Sequence, residues 1–300
     1  MKTNTTSKIF DLGFDTVVYA VMIFMLVITL YPFLNILAVS LNESADAMKG
    51  GIHIIPRKFT FNNYIEIFKY GNLPHAFFIS VMRTVVGTGT SIISTCMLAF
   101  TLSRKEFVYR KLFTTVFVLT MYIGGGLIPN YMLIRQMGMI NKFSVYIIPG
   151  LIQCWNVIVI RSFIDGLPFS LQESAKIDGA SDFLIFRKIV LPLCLPVIAT
   201  ISLFIAVGQW NAWIDTYLYA SSNQNLSTLQ YELVKILNST TQSQTGAGQS
   251  LAQDGTGAPT ISPQSIRMAI TIVATVPILI VYPFIQKYFV TGLTLGAVKA

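Results

Sequence analysis

Aromatic rings stand beside side-chain amides at two places in this 300-residue sequence. Gln153, Trp155 and Asn156 make one group, and Gln209-Trp210-Asn211-Ala212-Trp213 the other. A flat apolar face flanked by fixed hydrogen-bonding groups is the mix that grips a polar solute. On a helix, Gln153 and Asn156 stand one turn apart, as do Trp210 and Trp213. The same residues have plainer uses, because tryptophan anchors helices at a membrane boundary and Asn or Gln bonds between helices. Other chemistry has little to work with. Cys96, Cys154 and Cys194 lie in apolar stretches with neither a disulfide framework nor zinc spacing, and act there as small hydrophobes. His53 and His75 fall in a single loop-like segment, where ordinary loop chemistry suffices. No Ser/His pair, paired carboxylate or metal constellation falls within the apolar stretches, so neither a catalytic nor a metal site is expected. The chain also lacks a G-x-x-x-x-G-K-[ST] phosphate loop.

The elements that must position these residues follow from composition. Hydrophobic residues make up 53% and charged residues 11% of the chain, against a soluble norm of roughly 45–50% and about 25%. A water-soluble globule is excluded. Six stretches contain no Asp, Glu, Lys or Arg: 16–42, 84–103, 112–134, 143–160, 189–214 and 268–286. About 20 apolar residues cross a bilayer as a helix, so each stretch is close to one span. A transmembrane barrel would need alternating polarity over about ten residues, whereas Val21 to Leu30 is apolar on every side. The first stretch is also too long for the core of a secretory signal. The expectation is an all-α, polytopic membrane helical bundle with spans at about 17–40, 77–102, 112–134, 143–163, 191–214 and 267–287, forming a single transmembrane domain.

An even number of spans puts both termini on one side. With the N-terminus inside, the inner segments carry 12 basic residues in 65 and the outer segments 9 in 102. The positive-inside rule therefore places both termini in the cytoplasm of a multi-pass protein of the cell membrane. The net charge of +8 reports this topology, and no basic soluble domain is left to bind nucleic acid. Arg83, at the outer end of the second span, is expected to snorkel to the headgroups, and Arg161 with Asp165 to form an i, i+4 ion pair.

Between the spans, Phe61, Tyr64, Ile65 and Phe68 recur at the spacing of one helix face and predict a short amphipathic helix packing against the bundle. Leu229, Leu233 and Leu237 predict a second external helix within 226–237. Residues 239–263, rich in Ser, Thr, Gln and Gly, read as a mobile outer loop. Gly124-Gly125-Gly126 with Pro129 should open the third span near its outer end, the kind of irregular backbone transporters set beside a substrate path. Pro32, Pro149, Pro277 and Pro283 read as kinks.

The loop 165–192 is the most informative segment. Ser170 and Glu173 have capping-box spacing, Gly179 supplies a left-handed helix end, Ser181 and Asp182 can start a second helix, and Leu191-Pro192 should end it. The expectation is helix, tight turn, helix. Glu173-Ser174-Ala175, then Gly179, Ile189 and Leu191-Pro192, resembles the EAA motif of permease subunits of ATP-binding cassette (ABC) importers, with Ser174 the one departure. The resemblance implies that this loop, including Asp178 and Ala180, is a cytoplasmic coupling helix docking on an ATPase subunit. The ending Gln286 to Lys299 resembles the second permease of maltose-type carbohydrate importers, which implies ATPase contacts by Phe289, Gly292, Gly296 and Lys299. Met121 to Arg135 and Asn223 to Tyr231 are similar to the LplC/YtcP-like branch.

The family implies a non-catalytic subunit without a cofactor of its own. ATP and Mg would be bound by two partner ATPase subunits, beside a second homologous permease, an extracellular sugar-binding lipoprotein and membrane lipid. Saccharide would then pass Tyr122, Gln153, Asn156, Gln209, Trp210, Asn211 and Trp213. A peptide or amino-acid permease would share the loop but not the tail pattern. An ion-driven secondary transporter would need ionisable groups at membrane depth, which the six stretches lack.

Overall fold

The computed structural model describes residues 5–69, 73–244 and 262–297. In chain order the helices are α1 (Thr5–Ser40), α2 (Ser44–Ala47), α3 (Asn62–Lys69), α4 (Leu73–Ser103), α5 (Arg110–Tyr122), α6 (Leu127–Gln136), α7 (Cys154–Asp165), α8 (Ser170–Ile177), α9 (Asp182–Ile185), α10 (Leu191–Leu193), α11 (Leu195–Asn211), α12 (Leu229–Gln244) and α13 (Pro263–Ala297). Among the described residues there is no strand, only an isolated bridge between Asn42 and Phe59. The all-α expectation holds.

Three helical stretches are long and apolar enough to cross a membrane unbroken: Gly13–Ser40, Leu73–Ser103 and Gln264–Pro283. The other three expected spans are not continuous helices. The third is split between α5 and α6 where Gly126 adopts φ +79°, so the triple glycine opens the helix as its sequence indicated. The fourth begins as a 3₁₀ turn, Phe143–Tyr146, and becomes α-helical only at Cys154, because Pro149 and Gly150 interrupt the segment between. The fifth bends by 80° between Asp182–Leu193 and Leu195–Asn211.

The chain packs as two compact units, residues 1–71 with 237–275 and residues 72–236 with 276–300. In the first unit, α1 is apolar on every side and exposed from Val17 to Ile28, a surface compatible with hydrocarbon and not with water. Its end is tied down by two buried asparagines. Asn63 Nδ2 donates to the Ser40 and Asn42 carbonyls at 2.8 and 2.9 Å, and Ser44 Oγ donates to Asn63 Oδ1 at 2.8 Å. Asn42 Oδ1 accepts the Lys58 amide at 2.7 Å, and its Nδ2 donates to Asp46, which also takes Arg57 Nε at 2.9 Å. Helix α3 forms as expected but buries a different face. Asn63 and Ile67 point inward and Tyr64 is half-buried on the Ser40 hydroxyl, while Phe61, Ile65 and Phe68 are exposed, because the asparagine's backbone partners displace an apolar contact from the interior. Helix α12 starts at Leu229 and runs on to Gln244, beyond the expected start of the outer loop. Residues 245–261 of that loop lie outside the described residues.

In the second unit, α4 packs against α11 and α7. Gly87, Ser91, Thr95 and Ala99, spaced by four, form its buried face. Small side chains at that spacing let helices approach closely where water exclusion cannot drive them together. Below this seam an apolar core joins Phe100, Ile160, Ile164, Ile185, Phe186 and Ile201.

Asn63→Ala would leave two buried carbonyls and the Ser44 hydroxyl without their partner, at a cost of about 2–4 kcal/mol. Thermal unfolding of the detergent-solubilised protein should show a clear fall in Tm for this variant, whereas Phe61→Ala, on the exposed face, should shift stability by no more than about 0.5 kcal/mol.

Candidate functional site

Two places gather the residues singled out by sequence: a helical hairpin and a polar cleft, both in the second unit. The hairpin is α8, a turn, and α9. Helix α8 diverges from α7 by 75°. Its start differs from the capping-box expectation. Phe169 occupies the cap position in helical conformation without a side-chain cap, and its carbonyl takes the Glu173 amide at 3.1 Å. Pro168, whose fixed φ suits a first helical turn, moves the start upstream and leaves Ser170 inside the helix. The other end is as expected. Gly179 is left-handed at φ +78°, and the Ala180 amide reaches the Ala175 carbonyl at 2.9 Å, closing a Schellman-type turn. Ser181 then caps α9 by accepting the Leu184 amide at 3.4 Å.

Leu191-Pro192 does not end the second piece. The coil widens to a π turn over Phe186–Val190 and continues through Pro192 to Leu193, so the bend falls at Cys194. A π turn relaxes the clash between a proline ring and the carbonyl four residues back. Of the motif residues, Glu173, Ser174, Asp178, Gly179 and Pro192 are exposed and Ile189 is half-buried. Ala175, Ala180 and Leu191 pack against the apolar core.

A group that sequence reading overlooked fixes the hairpin. Arg104, buried just past the end of α4, donates to Gln172 Oε1 and Asp182 Oδ1, both at 2.6 Å, and so bridges the two helices. Lys176 adds a 2.7 Å hydrogen bond to Glu106. That bond, with a backbone hydrogen bond and the nearby Arg104, holds the Glu106 carboxyl below its usual range. The expected Arg161–Asp165 pair is present at 3.4 Å. Of the tail residues, Phe289, Gly292 and Gly296 lie on α13, and Lys299 lies outside the described residues.

The cleft has a volume of about 840 Å³. Gln153, Asn156 and Gln209 line it, together with Trp155, Phe204, Asn130 and Tyr219. Trp155 and Phe204 pack ring on ring at 5.9 Å, and Asn156 Nδ2 donates to Gln153 Oε1 at 3.3 Å. The other path candidates are elsewhere. Trp210 is buried edge-on against Phe77, Trp213 packs on Tyr217, and Asn211 and Tyr122 are exposed outside the cleft lining.

Arg83 does not snorkel. Its side chain is 3% exposed and forms an ion pair with Asp215. Nε donates to Gln209 Oε1 at 2.8 Å, a terminal nitrogen donates to the Ala212 carbonyl at 3.2 Å, and the guanidinium lies 4.5 Å from the centre of the Tyr146 ring. Gly87 makes room for this, since a Cβ there would stand 2.9 Å from the Gln209 amide. Arg83 and Asp215 bound two of the charge-free stretches, and that was their only sequence signal. Their presence in the cleft also removes the argument that no ionisable group stands inside the bundle.

No family model matches the sequence. The chain is 35% identical over 288 residues to the polygalacturonan/rhamnogalacturonan transport system permease protein YtcP of Bacillus subtilis (strain 168), covering 95% of this chain and 98% of the relative. It is 36% identical over 274 residues to Protein LplC of the same organism, covering 91% and 90%. The galactooligosaccharides transport system permease protein GanQ, also of that organism, is 30% identical over 289 residues and 94% of each chain. The fold matches a chain in the crystal structure of a bacterial ABC transporter involved in the import of the acidic polysaccharide alginate, with a TM-score of 0.80 at 25% identity, over 96% of this chain and 99% of that one. With the hairpin, the cleft and relatives of this extent, the chain belongs to the permease subunits of sugar ABC transport systems.

Proposed function

We propose that this chain forms, with a second homologous permease, the path by which an oligosaccharide or polysaccharide-derived sugar enters the cell. An extracellular binding lipoprotein delivers the sugar, and two ATPase subunits that bind ATP and Mg supply the work. The observation that carries this reading is the hairpin, in which an exposed EAA-type helix ends on a left-handed Gly179 and is braced from behind by Arg104. Ile177 is 86% and Phe183 64% exposed on it, apolar surface of the kind that seats in a partner's cleft. In this reading α8 is the coupling helix on the cytoplasmic face, six membrane crossings put both termini inside, and the tail of α13 touches the ATPase pair. Closure of the ATPases on ATP pushes the hairpin and turns the bundle from inward- to outward-facing.

Sugar passes the cleft. The Trp155 and Phe204 rings offer a platform, and the amides of Gln153, Asn156 and Gln209 offer hydrogen bonds. The relatives' printed substrates, galacturonans, galactooligosaccharides and alginate, support a saccharide of more than one residue. The test is ATP-driven uptake of labelled oligosaccharides into vesicles holding both permeases and the ATPases, with the binding protein added outside. Uptake without the ATPases would overturn the proposal.

Proline cannot adopt φ +78°, so Gly179→Pro should abolish uptake while membrane insertion and ATP hydrolysis persist. Gly179→Ala, with a left-handed penalty of about 1–2 kcal/mol, should give a partial loss in the same vesicle assay. Arg104→Met removes the brace and leaves Gln172 buried without its donor, and should lower uptake per ATP hydrolysed, measured by following both in one sample. Because Glu106 titrates below its unfolded value, the Lys176 contact contributes fully above the ordinary Glu range of about 4.3 and is lost only as pH falls through the lowered value. Amide hydrogen exchange in the hairpin around Lys176 should accordingly speed up only in that acid range relative to a Glu106→Gln control.

A further inference from the structure

We propose that Asp215 determines sugar specificity in this permease by accepting hydrogen bonds from saccharide hydroxyls, and that Arg83 is the positioning residue that holds Asp215 and Gln209 for it. The inference rests on the sugar-permease reading above. Asp215 lines the cleft with its side chain 38% exposed. Its Oδ2 is taken by Arg83, and its Oδ1 has no hydrogen-bond partner among the described residues. A pair serving stability alone gains most when both carboxylate oxygens are satisfied. Here both residues line the cleft, the guanidinium almost wholly buried and the carboxylate, with one oxygen left without a hydrogen bond among the described residues, over a third exposed.

Gln209 is held by the same guanidinium. Its Oε1 accepts from Arg83, which leaves the opposite end of the amide, Nε2, as a donor whose one hydrogen bond among the described residues is a long 3.4 Å to the Tyr146 carbonyl. Acceptor and donor thus stand on either side of one rigid fork, the complement of a hydroxyl that donates once and accepts once. The fork is planar and keeps its charge, so it fixes both partners at once, as a lysine could not. Tyr146 backs the guanidinium, and its own hydroxyl is anchored on the Leu226 carbonyl at 2.7 Å. The bare Cα of Gly87 is what admits the Gln209 side chain to this arrangement.

The test pairs residue changes with hydroxyl deletions. Vesicles holding the complete importer are given galacto-, arabino- and galacturono-disaccharides and their monodeoxy analogues, each loaded on the binding protein. Because that protein is the same throughout, its own preferences cancel when wild type and variant are compared. In wild type, deleting the hydroxyl that Asp215 reads should slow uptake about tenfold, the size of one hydrogen bond to a charged group. In Asp215→Asn, which can still accept from Arg83, the same deletion should cost less than about twofold. Arg83→Lys should blunt the discrimination in the same way, although it touches no sugar. Asp215→Glu, which keeps the ion pair and moves the free oxygen, should shift the sensitivity to a neighbouring hydroxyl, and this holds even should the Asn variant assemble poorly. An equal loss in wild type and variants for every deoxy analogue would overturn the proposal. Absence of any uptake by the wild type would instead sink the sugar-permease reading beneath it.

Discussion

A backbone crossing hydrocarbon has no water to bond to, so each break in a helix must be answered by protein or by an aqueous space. The second unit is organised around that constraint. Two of its irregular stretches, at Pro149-Gly150 and at Ala212, line one cleft, and α6, which follows the break at Gly124 to Gly126, adds Asn130 to the same wall. The freed Ala212 carbonyl is met by Arg83. Broken backbone and polar lining are therefore two aspects of one solution, and the continuous helix α4 can stay unbroken because its neighbours carry the irregularity.

The two units meet the same need by different chemistry. In the first, neutral asparagines bond to the backbone at the end of α1, and their partners are close in sequence. In the second, an arginine spans more than 120 positions to reach Gln209 and Asp215. The long connection is affordable because the seam of Gly87, Ser91, Thr95 and Ala99 already brings α4 and α11 together, so the ion pair refines an existing contact.

Much of this was legible in the residues. Apolar run lengths gave the helical class, the triple glycine gave the opening of the third span, and Gly179 with Ser181 gave the hairpin. The failures share a cause. Ser170 fits a capping box locally, but after Pro168 the cap falls one residue earlier, on Phe169. Leu191-Pro192 looks like a stop until the π turn before it makes room for the ring. Phe61, Ile65 and Phe68 promised a buried face, yet Asn63 took the interior because the backbone at the end of α1 needed its amide. Arg83 and Asp215 stand just outside uncharged windows, each of which ends at the charge that closes it, and a contact between distant windows leaves no periodic trace. Gln153, Asn156 and Gln209 are legible as amides beside aromatic rings. Trp210 and Trp213 share their neighbourhood but turn to other partners, and helical spacing alone could not separate the two groups.

Helix α4 links two of these features. Arg83 lies in its N-terminal half and Arg104 just beyond its last residue, about 32 Å apart along the axis at 1.5 Å per residue. No proline interrupts the stretch between them. The grip on the cleft and the grip on the hairpin are thus both fastened to one continuous helix. A helix without proline over that length carries a tilt at one grip toward the other, with Gly87 and Gly89 the positions in it that bend most easily.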